Sequence, residues 1–179
     1  MTADAAPPLE PESVLRSKPF RALLVFAAVI GVAVSIASWA FLELIHKLQV
    51  WVYQDLPGGL GFETVPAWWP LPVLLIASVP VAFAIGRLPG HGGHEPSAGL
   101  ATGKPTQPVE LPGVLLAATA SIGLGFVLGP EAPLLALGMG LAILAVQRAR
   151  ADAPQQVFTV LAAAGGFAAL STIFGSPVI

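Results

Sequence analysis

Residues 22–40 form a run of 19 positions without one Asp, Glu, Lys or Arg. A helix crosses the hydrocarbon core of a bilayer with roughly 18–20 such residues. A second apolar run occupies residues 71–85. Only 10% of the 179 residues are charged and 55% are hydrophobic, whereas a soluble domain carries about 25% charged residues. Since only helices and closed barrels satisfy their backbone inside lipid, runs of this length predict an all-α integral membrane protein. The expected architecture is a bundle of full-span, tilted and partial-span helices joined by broken-helix loops.

The same composition excludes several functions. A formal net charge of -2, with no basic run, gives no footprint for nucleic acid. Cysteine is absent, which removes disulfides, thiolate metal sites and cysteine nucleophiles from this segment. Asparagine is absent as well, so there is no N-glycosylation acceptor. No nucleophile stands near a plausible base and no carboxylates pair at a useful spacing, so the chain is not expected to be an enzyme or to hold a cofactor.

Residues 1–18, with Pro7, Pro8 and Pro11, read as a disordered cytoplasmic tail, and residues 19–179 as one transmembrane domain. A signal peptide fits less well, because the apolar run is too long for an h-region and no clear cleavage site follows. A first span is expected over residues 20–52, long enough to tilt, and a second over 71–85. Trp68 and Trp69 suit the interface between them. Arg16, Lys18 and Arg21 precede the first span, the loop 54–70 has no Lys or Arg, and Arg87 and Lys104 follow the second. The positive-inside rule then predicts a multi-pass cell-membrane protein with a cytoplasmic amino terminus.

Beyond Arg87 the apolar stretches shorten to 111–128, 133–146 and 157–174, punctuated by Gly and Pro. A helix over 133–146 rises only about 20 Å and predicts a partial span. Gly123, Gly125, Gly138, Gly140 and the run 162–166 supply small residues for close helix packing.

Chemistry concentrates at three breaks. In Leu128-Gly129-Pro130-Glu131-Ala132-Pro133 a lone acid stands between apolar segments. Pro130 and Pro133 are tolerated in a first helical turn, which puts Glu131 at a helix amino terminus. Free N–H groups and the helix dipole make such a terminus an anion site without a basic side chain. A tethered carboxylate would compete with a dissolved anion there, and protonation would release it. An acid resting at an outer water interface is the simpler alternative, and sequence leaves it open. The second break, Gly90-His91-Gly92-Gly93-His94-Glu95-Pro96, offers an anion-binding nest of glycine N–H groups. Its two histidines and glutamate are too loosely set to predict a metal. The third, Phe174-Gly175-Ser176-Pro177, ends a helix just before the chain stops, and predicts a fragment of a longer protein.

In order and spacing these three breaks resemble those of the CLC family of chloride channels and proton/chloride antiporters. Gly92-Gly93-His94-Glu95-Pro96, Gly129-Pro130-Glu131-Ala132-Pro133 and Phe174-Gly175-Ser176-Pro177 look like that family's G-S-G-I-P, G-K/R-E-G-P and F-N-A-P-like segments. The resemblance covers roughly residues 71–179 and implies one of the two inverted repeats of the CLC fold, in a divergent branch. Glu131 would be the gating glutamate that exchanges protons. Gly92, Gly93, His94, Gly129, Pro130 and Ala132 would surround the anion. Gly93 stands where the family has an anion-coordinating serine, Pro130 where it has a basic residue and Ala132 where it has glycine. The implied partners are chloride or another small anion, protons, the lipid bilayer and a second subunit in a full-length homodimer. A membrane scaffold or a truncated remnant without transport activity is the alternative from a different class.

Overall fold

The computed structural model describes residues 18–93, 105–150 and 152–174. Helix α1 (Lys18–Val50) continues through a π-helical turn (Trp51–Asp55) into the short α2 (Leu56–Gly59). After a loop come α3 (Pro70–Arg87), α4 (Leu111–Gly123) entered through a 3-10 turn (Pro108–Glu110), α5 (Glu131–Ala149) and α6 (Gln155–Ser171). Among the described residues there is no strand. The expected tail falls almost wholly in residues 1–17, outside the described residues.

Among the described residues three segments are long and apolar enough to cross a membrane: Phe20–Gly59, Pro70–Arg87 and Glu131–Ala149. The third corrects the expectation of a partial span over 133–146. Helix α5 starts two residues earlier, because Pro133 fits inside its first turn, and runs on past Val146 to Ala149. Its 19 residues rise about 28 Å, close to a full hydrocarbon core. The shorter helices are α4 and α6, with 13 and 17 residues.

Helix α1 turns one stripe inward, Ile30, Val34, Ser38, Phe41 and Ile45, at the spacing of a single helical face. Another stripe, Val25, Val29, Val32, Ile36 and Trp39, is exposed, and apolar residues on such a face suit lipid or further protein. The buried stripe meets Ala118 and Ile122 of α4, Leu134, Leu137, Ala142 and Val146 of α5, and Leu161 and Ala169 of α6 in one core.

Glycine decides how closely these helices approach. A Cβ on Gly138 would strike the Gly165 carbonyl and lie 2.8 Å from Ala169 Cβ, and one on Gly165 would lie 2.7 Å from Ala142 Cβ. Helices α5 and α6 are therefore in backbone contact, an antiparallel pair held by small residues. Gly140 admits Leu111 of α4 and Gly123 admits Leu48 of α1. The first pairing makes α4 and α5 antiparallel, and the second sets the carboxyl ends of α1 and α4 side by side.

Trp69, expected at the interface, is instead 7% exposed and packs with Val52 and Val73. The π-helical turn explains its place. There the amide of Leu56 bonds Trp51 O, five residues back, so Val52 O would wait for residue 57. That residue is Pro57, which has no N–H. Trp69 Nε1–H donates to the stranded Val52 carbonyl at 3.0 Å. Trp69→Phe keeps most of the packing and leaves that buried carbonyl unpaired, which should cost about 1–3 kcal/mol. A lowered unfolding midpoint of the purified full-length protein checks this; an unchanged midpoint would show that the bond contributes nothing.

Candidate functional site

The turn that carries Glu131 begins where α4 stops. Gly125 adopts φ +105, its N–H bonds Ile122 O at 3.2 Å and the Phe126 N–H bonds Ser121 O at 2.9 Å. This pair of reversed bonds is a Schellman ending, which requires a left-handed residue and so glycine. The end of α1 and the π turn add two side-chain donors: Gln49 Nε2 gives Ile122 O a second hydrogen bond at 2.9 Å, and Tyr53 OH donates to Leu124 O at 2.9 Å. Neither residue was singled out by sequence. Their partners lie 73 and 71 positions away and are main-chain atoms, which leave no local pattern.

Residues 126–129 have no regular structure, and Phe126, Val127 and Leu128 are exposed. Pro130 then caps α5 with φ −78 and ψ 1, and its carbonyl accepts the Leu134 N–H at 3.0 Å. Glu131 is the first residue of α5, the position its neighbours predicted. Pro130 and Pro133 have no N–H, so the free donors of this first turn reduce to those of Glu131 and Ala132. The glutamate side chain is exposed and folds back over Gly129. A Cβ on Gly129 would overlap the carboxylate, with Cδ at 2.5 Å and Oε1 at 2.7 Å. The end of the flexible Glu131 side chain thus rests in the space beside Gly129. Among the described residues the ion pair is Glu43 with Lys47 at 3.4 Å, so Glu131 carries no basic partner there.

The glycine loop lies elsewhere. Gly90, His91, Gly92 and Gly93 all have positive φ, at 83, 47, 82 and 123, and form one left-handed turn in which only His91 bears a strained side chain. The turn packs on the first half of α4: Gly90 against Glu110, Gly92 against Ile85 and Ala117, Gly93 against Val114. The Gly93 N–H closes the turn onto Gly90 O at 2.8 Å. Gly129, Pro130, Glu131 and Ala132 are brought together by chain continuity. Gly92 and Gly93 sit further down α4, since Ala117 is about 9 Å of helix below Gly123. His94 and Glu95 lie outside the described residues, as do Gly175, Ser176 and Pro177. The antiparallel register of α5 on α6, continued outward, carries the end of α6 to the level of Glu131.

No family model and no solved structure matches the chain. Over 163 residues, 91% of its length, it is 31% identical to the "Putative ion-transport protein YfeO" of Escherichia fergusonii. Proteins of the same name from Escherichia coli (strain K12 / DH10B) and Shigella boydii serotype 4 match over the same 163 residues at 31% identity. In each case the chain spans 38% of the relative's own length.

Proposed function

We propose that this chain forms the amino-terminal part of a membrane transporter for a small anion, with chloride first among the candidates. Glu131 acts as its proton-sensitive gate. The observation that carries this reading is the position of that acid. It opens a 19-residue apolar helix, folded back beside Gly129, without a basic partner among the described residues. Intramembrane acids are costly and belong by default to ion or proton pathways. Similarity to proteins named for ion transport supports the class, and the resemblance of the three breaks to the CLC family supports the choice of an anion.

The chemistry is a competition for donors. The N–H groups of Glu131 and Ala132 point out of a helix terminus where the dipole favours negative charge. The ionised carboxylate occupies that field; the neutral acid loses its attraction and yields the place to an anion. The Gly92 amide in the inner half and the break at Gly175 would complete the path, and protons and a second subunit are the partners proposed for the full-length protein.

Non-helical backbone at membrane depth is stable only when covered by protein or lining a cavity. Val127, Leu128 and Gly129 are exposed in this chain, so the rest of the protein is needed to cover them. Residues 1–179 alone, reconstituted in liposomes, should release chloride no faster than empty vesicles. The full-length protein should release it selectively over gluconate. Selective flux from residues 1–179 would refute the need for completion, and no flux from the full-length protein would refute the transport reading itself.

A further inference from the structure

The outer end of α1 holds the turn that carries Glu131 through two side chains four residues apart on one helical face. Gln49 Nε2 and Tyr53 OH reach Ile122 O and Leu124 O, two carbonyls at the end of α4 just before the irregular segment. Tyr53 also fills the space over Gly125, where a Cβ would overlap its hydroxyl and lie 2.9 Å from Cζ. Between Leu124 and Pro130 the backbone otherwise supports itself only weakly, by Gly125 and Phe126 bonding back to α4 and Leu128 N–H to Phe126 O at 2.9 Å. The brace is itself anchored. Tyr53 lies within the π-helical turn, whose stranded Val52 carbonyl is fixed by buried Trp69. A π turn inside an α-helix is a recurrent feature of functional sites, because the added residue redirects the side chains that follow.

We infer that Gln49 and Tyr53 are positioning residues for the gate: they hold the 124–130 turn so that the Glu131 carboxylate stays at the amino terminus of α5. The inference rests on the reading of Glu131 as a proton-sensitive gate. Other titratable groups do not offer a competing explanation near the turn. Helices α4 and α6 have none, α5 has besides Glu131 only Arg148 at its far end, the 3-10 turn before α4 has Glu110, whose carboxylate accepts the Gln107 N–H, and the end of α1 with the π turn carries Glu43, His46, Lys47, Tyr53 and Asp55. Of these, Glu43 and Lys47 pair with each other at 3.4 Å.

The test uses the full-length protein in liposomes and two readouts. The first is the rate at which Leu124→Cys, whose side chain is partly buried against Val52, Trp69 and Val73, reacts with a water-soluble maleimide on a background without other cysteines. Tyr53→Phe removes only the hydroxyl and should speed this reaction about fivefold, the factor that one net hydrogen bond represents. The second is chloride flux against external pH. A loosened turn holds the ionised carboxylate less well at the helix terminus, so Tyr53→Phe should raise the midpoint by about 0.7 unit, the same free energy, with maximal flux within about twofold. Gln49→Leu should act in the same direction, and it serves as the deciding variant where Tyr53→Phe lowers protein yield. Unchanged labelling and an unchanged pH profile in both variants would overturn the inference. Glu131→Gln, measured alongside, separates the two levels. If that variant keeps the wild-type pH profile, the gate reading falls and takes the inference with it; if it loses pH dependence while the brace variants behave as wild type, only the inference falls.

Discussion

Gly165→Leu in the full-length protein is expected to abolish recovery of folded material. A Cβ at this position meets the Gly138 carbonyl and Ala142 Cβ, and at Gly138 it would meet the Gly165 carbonyl and Ala169. Backbone atoms cannot rotate away, so the added side chain must separate α5 from α6. Among the described residues these two form the most extensive helix pair. Overpacking a well-packed core costs about 1–3 kcal/mol and more where relief is blocked, a large part of a marginal total. Separation would also withdraw Leu134, Leu137 and Leu161 from the shared core. Gly86→Ala is the control, because nothing lies within 4 Å of its added Cβ. At the penultimate position of α3 that exchange should leave stability within about 0.5 kcal/mol of wild type. Monodispersity after purification and resistance to unfolding in SDS measure both. A Gly165→Leu protein as stable as wild type would show that α5 and α6 do not touch as described.

Loss of proton movement is the second large effect expected, and it follows from removing one carboxyl group. In Glu131→Gln the side chain keeps its size and cannot ionise, so it resembles the protonated gate; in Glu131→Ala the tethered competitor is gone. Any proton uptake that accompanies chloride release by the wild-type protein should disappear in both. In the proposed reading Glu131, at the start of α5, is the acid of the pathway. Glu43 and Glu63 are more peripheral: Glu43 pairs with Lys47 on an exposed face, and Glu63 lies in the exposed loop before α3. Glu63→Gln therefore controls for general loss of charge and should leave proton movement as it was. A pH electrode in weakly buffered vesicle suspension records the difference, and persistent proton uptake in both Glu131 variants would move the proton path to other residues.

Much of the helical plan can be read from the order of residues, because apolar runs of membrane length have few alternatives in lipid. The runs at 22–40 and 71–85 became α1 and α3, and the segments beyond Arg87 became three further helices. Where the reading failed, longer-range physics decided. The partial span expected over 133–146 was counted from the apolar stretch alone, whereas the helix takes in Glu131 and Ala132 at its start and Gln147, Arg148 and Ala149 at its end, and is full length. Tandem tryptophans suggested an interface pair; Trp68 is exposed, and Trp69 packs inward and donates to a carbonyl that Pro57 leaves without its donor, a contact no local pattern announces. Glycines assigned to packing are in packing, at Gly138 and Gly165, because a backbone contact admits nothing larger.

The candidate site was legible in part for the same reason. Glu131 at a helix start follows from Gly129, Pro130 and Pro133, all local in sequence. Gln49 and Tyr53 were invisible, since a side chain that bonds a distant carbonyl leaves no motif. Gly93 offered an N–H to an anion by its type, whereas its own turn takes that N–H for Gly90 O.

The central claim is that protonation of Glu131 opens the path to an anion, and one measurement addresses it directly. Full-length wild-type protein and Glu131→Gln are reconstituted at equal density, and initial chloride efflux is recorded across a series of external pH values. The account predicts that wild-type efflux rises as the pH falls, while Glu131→Gln stays high and flat over the whole series. Parallel pH curves for the two proteins, at equal yield, would contradict it and return Glu131 to an acid at the outer surface of the membrane.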